Sequence, residues 1–152
     1  MNFVKLAVSA CTVFTTIAMV ACDDSASSSN DTPESVSKTG FDCSVTDGVK
    51  VVSPQDGDSY KIGSTIKVIY GTDVEGSGYR FVFKKSEDDK GKDLFKESMG
   101  VSGKGDGKTC YEQEVVLSSD IVTETETAII RVIPYEKTPK AANSGTFKVT
   151  SK

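Results

Sequence analysis

The sequence contains no histidine and no tryptophan among its 152 residues. Without histidine, the chain lacks the side chain that most often serves as general base for a serine or cysteine nucleophile. A zinc site would also lack imidazole ligands. Acidic clusters exist, such as Asp88, Asp89 and Asp93, but lysines interrupt them and their spacing does not match a calcium loop. We therefore expect a protein that is not an enzyme and that holds no metal and no cofactor.

Positive charge is in the minority, because 18 Lys and Arg residues stand against 22 Asp and Glu residues, for a net charge of −4. A negative surface repels phosphate, so we do not expect nucleic acid as a partner. The glycine-rich residues 99–109, MGVSGKGDGKT, lack the G-x-x-x-x-G-K-[ST] spacing of a phosphate loop. We interpret them as a mobile loop whose function the sequence leaves undecided.

The first residues of the chain are typical of an export signal. Lys5 precedes a mostly apolar run, residues 6–20, which is shorter than the roughly 20 residues of a membrane span. The run ends in Met19-Val20-Ala21-Cys22, which resembles the lipobox of bacterial lipoproteins. In a lipobox, small side chains flank the cleaved bond and the cysteine thiol is alkylated by lipid. The resemblance implies that residues 1–21 are a lipoprotein signal peptide and that Cys22 becomes the acylated, palmitate-bearing first residue.

Two alternatives to lipidation remain, an ordinary cleaved signal with an incidental cysteine and an uncleaved anchor. A Ser-rich polar tail begins directly after Cys22, which favours lipidation. We interpret residues 22–39 as the lipidated N-terminus and a flexible linker, because they contain no aromatic residue and too little apolar surface to offset their ordering entropy. The predicted location is the bacterial cell envelope, where acylated Cys22 holds the protein to membrane lipid at the periplasmic face or at the cell surface.

The rest of the chain is arranged around residues 49–70, VKVVSPQDGDSYKIGSTIKVIY. Proline ends the first β-branched run because it has no N–H for a strand ladder, and Asp56-Gly57 and Gly63-Ser64 provide turns. Ile66, Val68 and Tyr70 then alternate with Thr65, Lys67 and Ile69, which predicts a strand with one buried face.

The pattern Ser-Pro-x-x-Gly-x-x-Tyr-x-x-Gly-x-x-Ile-x-Val-x-Tyr resembles the opening of Ig-like domains of the Ser/Thr-rich, GPI-anchored fungal cell-wall family, and of similar modules on bacterial surface proteins. That family often has tryptophan at the end of the second strand, where this chain has Tyr70. The resemblance implies an Ig-like fold for residues 40–152.

Strand patterns continue to the C-terminus and no long apolar stripe of helical period interrupts them. We predict an all-β, Ig-like β-sandwich of about seven strands, with a short edge strand at residues 93–98 and polar connections between the others. The core between its two sheets is expected to contain seven inward-facing residues, namely Ile66, Val68, Phe81, Phe83, Ile130, Val132 and Phe147.

The expected compartment predicts the role of each of the four cysteines. Cys11 lies in the signal peptide and Cys22 is predicted to be lipidated, which leaves Cys43 and Cys110 in the exported domain. A disulfide between them is the default in an oxidising space. A zinc site and a reactive thiol pair are the less favoured alternatives. Because Cys43 precedes the first main strand, this bond is not expected to be the intersheet disulfide of antibody domains.

Two functional classes fit these features. The first is a non-catalytic binding or adhesion module for cell-wall or substrate polysaccharide, and the second is a structural or accessory subunit that binds another envelope protein. Carbohydrate recognition usually requires exposed planar aromatic rings, and most aromatic residues here are predicted to face inward. Tyr60 and Tyr135 are the two in freer positions. Two or more coplanar exposed rings would favour a polysaccharide, and a flat apolar strand edge would favour a protein. The sequence does not indicate the oligomeric state.

Overall fold

A computed structural model describes residues 40–151, and the predicted signal peptide and linker lie outside this range. The described residues form an all-β fold, as expected, with a single turn of 3₁₀ helix at Thr138–Lys140. Seven of the eleven strands have three or more residues and four have two. The strands are β1 (Val49–Ser53), β2 (Ser59–Lys61), β3 (Thr65–Thr72), β4 (Glu75–Gly76), β5 (Tyr79–Lys84), β6 (Lys92–Asp93), β7 (Gly103–Lys104), β8 (Tyr111–Val116), β9 (Thr125–Pro134), β10 (Ala142–Asn143) and β11 (Phe147–Thr150).

The strands form two main sheets and one small two-stranded sheet. The first sheet has the order β1-β3-β8, and the second has the order β2-β11-β9-β5-β6, with β10 paired to β9. The pair β4-β7 stands apart from both. Every pairing is antiparallel except that of β2 with β11, which is parallel.

The turns within residues 49–70 form as the sequence predicts. β1 ends at Ser53, before Pro54. Gly57 and Gly63 adopt positive φ angles of 86° and 89°, which lie in the left-handed region that glycine enters without steric cost. Gly57 also donates its N–H to the carbonyl of Thr146 at 2.9 Å, so the turn after β1 is joined to the segment that precedes β11.

A hydrophobic core lies between the two main sheets. All seven predicted core residues are buried in it: Ile66, Val68, Phe81, Phe83, Ile130, Val132 and Phe147. The predicted strand phase is therefore confirmed. Among the charged residues that alternate with these core residues, Lys67 is exposed, whereas Arg80, Arg131 and Lys148 are half-buried.

Two details of the strand prediction are wrong. The expected edge strand at residues 93–98 is reduced to β6, which ends at Asp93 because the chain then turns Leu94 and Phe95 against the core. Ile69, expected on the solvent face of β3, is buried, because residues 40–45 cover that face. Within residues 40–151, no helix has the length and apolar character that a membrane span requires.

Candidate functional site

The structure contains the predicted disulfide between Cys43 and Cys110, whose Cα atoms are 5.3 Å apart. Both cysteines are buried, and they form a small second cluster with Ile69, separate from the core between the sheets. Phe41 and Val52 pack against the edge of this cluster. The bond therefore fastens residues 40–45 to the outer face of the first sheet, and it is not an intersheet disulfide.

Four connecting segments meet at one end of the two main sheets. We call this region the loop end and define it as residues 45–48, 73–78, 99–109 and 135–141. They adjoin each other because β3 ends where β1 begins, at the pair of Val49 with Thr72, and because β5 begins where β9 ends, at the pair of Tyr79 with Pro134. Connecting loops on a rigid scaffold are the usual place for binding residues.

The glycine-rich residues 99–109 are packed against the first sheet, and the prediction of a mobile loop is wrong. The N–H of Val101 donates to the hydroxyl of Tyr70 at 3.1 Å, and the N–H of Gly107 donates to the carbonyl of Thr72 at 2.9 Å. The glycines allow this close approach. A Cβ at Gly100 would stand 2.2 Å from the Tyr70 hydroxyl oxygen.

A second set of hydrogen bonds joins residues 73–78 to residues 135–141. The carboxylate of Glu136 accepts from the hydroxyl of Ser77 at 2.6 Å and from its N–H at 3.0 Å. These two donors hold the pKa of Glu136 below its usual value, the hydroxyl contributing most. These bonds link segments that are 59 residues apart in sequence, beside the backbone hydrogen bond from the N–H of Tyr135 to the carbonyl of Gly78 at 3.2 Å.

A third set anchors residues 45–48. The carboxylate of Asp73 accepts from the N–H groups of Asp47, at 2.6 Å, and Gly48, at 2.8 Å. These backbone donors lower the pKa of Asp73. The ammonium group of Lys140 forms an ion pair with the carboxylate of Asp47, so this segment also contacts residues 135–141. The loop end is thus held together by bonds between all four of its segments.

Tyr135 is the one aromatic residue of the loop end, and 40% of its surface is accessible. Within residues 40–151, the large hydrophobic side chains that are exposed are Tyr135 and Val116. Tyr60, the other tyrosine expected to be free, is half-buried against Phe147, with ring centroids 5.6 Å apart. Burial, followed by its hydrogen bond to Asp58, raises the pKa of Tyr60 to about 12. The described residues therefore present one exposed ring, and a platform of coplanar rings would need a second.

The remaining predicted sites are located as follows. Cys22 lies outside the described residues. Within residues 40–151, no three His, Cys, Asp or Glu side chains are grouped so that they could hold a metal ion. A shallow depression of about 400 Å³ lies at the far end of β1 from the loop end, lined by Val51, Val52, Pro54, Gln55, Asp56 and Gly145.

Sequence reasoning missed the loop end itself. The signal that could have revealed it is the set of four glycines in residues 99–109, which predicts flexibility, whereas three of them, Gly100, Gly105 and Gly107, permit close contacts. The chain matches no protein-family model and no curated protein.

Proposed function

We propose that this protein is a lipid-anchored lipoprotein of the bacterial envelope, attached to membrane through acylated Cys22, whose head is a non-catalytic binding module. The anchor is inferred from the lipobox-like residues 19–22 and from the polar tail that follows them. Three acyl chains on a lipoprotein N-terminus would make attachment effectively permanent, since a single chain gives only marginal binding, on the order of 10⁴ M⁻¹. The linker would let the head reach roughly 20–25 Å from the lipid surface.

The head is proposed to have Ig-like topology, which the strand order supports. The neighbours β11-β9-β5 correspond to the G-F-C order of the immunoglobulin fold, and β1-β3-β8 correspond to A-B-E. The parallel pairing of β2 with β11 is consistent with a first strand that switches from one sheet to the other. In this interpretation the loop end corresponds to the end of a variable domain that carries its binding loops.

The loop end is the proposed binding surface, and the observation that carries this proposal is the bonding between its segments. Ser77 and Glu136, and Asp73 and Asp47, join segments that are far apart in sequence. A surface whose loops are already ordered loses less conformational entropy when it binds a partner. Tyr135, next to the hydrogen-bonded Glu136, then presents a large amphipathic ring at little entropic cost.

A protein of the envelope fits this surface better than a polysaccharide does. A single exposed ring, Tyr135, supplies less stacking area than sugar recognition usually uses, whereas tyrosine is among the residues that most often dominate protein interfaces. Charged residues of both signs surround it, among them the exposed Glu75, Lys104 and Lys137. A polysaccharide ligand is the second outcome that the experiment below distinguishes.

The test places a photo-crosslinking amino acid at Tyr135 of the full-length protein in its own membrane, with the same group at exposed Lys61 on β2 as the matched control. We expect one protein to be crosslinked from position 135 and not from position 61, and Glu136→Gln to weaken that crosslink. Sedimentation with purified cell-wall polysaccharide that depends on Tyr135 would favour the polysaccharide instead. Identical crosslinks from both positions would contradict a binding surface at the loop end.

A further inference from the structure

The outer edge of β8 is a strand edge without a neighbouring strand. β8 pairs along one side with β3, and within residues 40–151 no strand pairs with its other side. The first sheet therefore has three strands, whereas the second has five along its path. An unpaired edge offers a row of backbone hydrogen-bonding groups to another chain. The residues of an edge strand therefore indicate whether such pairing is prevented or permitted.

The other edge strands of the main sheets carry the features by which proteins prevent unwanted pairing. β2 has three residues, and β6 and β10 have two each. β1 has a register shift between Val51 and Ser53 and is followed by Pro54. β8 has six residues, a continuous register and no proline. Of the edges in the part of the chain that the structure describes, it is the one long enough and regular enough to accept a strand.

The backbone phase of β8 determines which groups face outward. The N–H of Leu117, just after β8, donates to the carbonyl of Ser64, on the side of β3, at 2.9 Å. Because backbone groups alternate in direction along a regular strand, Glu114 and Val116 direct their N–H and C=O groups away from β3. By the same alternation Glu112 also directs its backbone groups outward, and Glu114 and Val116 are the two of these three residues that are exposed.

The carbonyl groups of Glu114 and Val116 already accept hydrogen bonds, whereas their N–H groups do not donate one within residues 40–151. The side-chain amide of Gln113 donates to the carbonyl of Glu114 at 3.0 Å, and the N–H of Ser118 donates to the carbonyl of Val116 at 2.9 Å. The N–H groups of Glu114 and Val116 have no acceptor among residues 40–151. The edge therefore offers two donors to an incoming backbone, and each occupied carbonyl retains a second lone pair.

The side chains of the edge specify the chemistry of the added strand. Val116 is 54% exposed, the highest value among the large hydrophobic residues that the structure describes as exposed. The neighbouring Glu112 binds Lys67 through an ion pair of 2.8 Å, whereas Glu114 is exposed and forms no ion pair within residues 40–151. One apolar position and one exposed carboxylate are thus presented two residues apart, and the carboxylate shares the charge of Lys67, its partner on β3, with Glu112.

We propose that β8 binds an extended segment of a partner protein by strand addition, with a lysine or arginine opposite Glu114 and a β-branched apolar residue opposite Val116. Opposite charges and apolar pairs across neighbouring strands are favourable, and strand addition draws its affinity from main-chain hydrogen bonds. A second copy of this chain is a poorer occupant, because it brings another Glu114 to the same edge. This surface uses none of the loop-end residues, so either proposal can fail without the other.

The test uses the full-length protein in detergent and two synthetic peptides, STVTKTTS and its glutamate counterpart STVTETTS. Amide hydrogen exchange is measured at Glu114 and Val116. We expect the lysine peptide to slow exchange at both amides, with an affinity about fivefold above that of the glutamate peptide, the effect of one favourable cross-strand charge pair. Glu114→Lys should reverse the preference between the peptides, and Glu124→Lys, at an exposed glutamate away from β8, should not.

Three results would overturn the proposal. One is unchanged exchange at both amides at saturating concentrations of either peptide. Another is equal affinity for the two peptides in the unaltered protein and in Glu114→Lys. The last is slowed exchange that depends on protein concentration without any peptide, which would assign the edge to self-association. Glu114→Pro, which removes an N–H that the β3 ladder does not use, provides a second variant and should abolish peptide binding.

Discussion

The backbone carbonyl oxygen of Cys43 lies against the backbone of Gly71, where a Cβ on that glycine would stand 1.9 Å from it. Residues 40–45 therefore lie flat on the outer face of β3, closer than any side chain at position 71 permits. The disulfide to Cys110 holds this arrangement from the other side, and together they bury Ile69. The close contact at Gly71 and the disulfide together hold residues 40–45 against the first sheet.

Gly71→Ala should destabilise the head by roughly 2–3 kcal/mol, the upper part of the range for overpacked sites, because the methyl group collides with backbone that a disulfide holds in place. Gly40→Ala is the matched control, since nothing lies within 4 Å of a Cβ at that position. Denaturant unfolding of both variants measures the difference. Equal stability of the two variants would contradict the close contact between Cys43 and Gly71.

Cys110→Ala should lower the free energy of unfolding by at most roughly 4 kcal/mol, the chain-entropy value for a loop closed between residues 67 apart. The loss should be smaller if the reduced chain retains structure, because the effect acts mainly on the unfolded state. Non-reducing peptide mapping of natively exported protein should recover Cys43 and Cys110 in one linked fragment. Recovery of both as free thiols would refute the bond in the cell.

The strand phase was predictable from sequence because a period of two leaves one consistent set of buried residues, and Phe81 and Phe83 belong to it without ambiguity. The disulfide was predictable because the expected signal peptide and the expected lipidation of Cys22 leave two thiols, Cys43 and Cys110. The burial of Ile69 was not, because it depends on a segment that returns across the sheet. Residues 99–109 were misjudged for a similar reason: glycine permits both flexibility and close approach, and only the partner atoms, such as the Tyr70 hydroxyl, decide between them.

Phe81→Ala should cost roughly 3–5 kcal/mol of stability, because Phe81 is 1% exposed and its loss removes transfer energy and leaves a cavity. Its ring also packs edge-on against Tyr70 and Phe95. Arg80→Ala is the control from the same strand. Arg80 forms an ion pair of 2.9 Å with Asp93, but both side chains are more than 40% exposed, so the cost should be below about 1 kcal/mol. If Arg80→Ala lowered the free energy of unfolding more than Phe81→Ala does, as measured by denaturant unfolding, the strand phase would be wrong.

Asp106 should contribute a pH-dependent part of the stability of the loop end. Its carboxylate accepts hydrogen bonds from the N–H groups of Thr109 and Lys108, at 2.7 and 2.8 Å, which lower its pKa from 3.8 to about 2. A carboxyl group with a depressed pKa stabilises the folded state above its unfolded pKa, and this contribution is lost as the pH falls through the folded pKa. The stabilisation should therefore be complete above about pH 4 and absent below about pH 2.

Asp106→Asn tests this pH dependence. The variant should melt at a lower temperature than the unaltered protein at pH 7 and pH 5, and the difference should narrow between pH 4 and pH 2. Asp88→Asn is the matched control, at an exposed aspartate without a side-chain hydrogen bond in residues 40–151, and should show no such narrowing. A difference for Asp106→Asn that stayed constant down to pH 2 would exclude the carboxylate charge as its cause.

Cys22→Ser should release the protein from the lipid anchor, because a hydroxyl group cannot replace the thiol that the lipid transferase alkylates. In a membrane extract of the unaltered protein, we expect mass spectrometry to find an acylated N-terminus at Cys22 and metabolic labelling to find palmitate. The serine variant should lose both signals, whereas Cys11→Ser, within the proposed signal peptide, should keep them. An unmodified mature N-terminus, or a fully soluble protein with Cys22 intact, would contradict the proposal that Cys22 is lipidated.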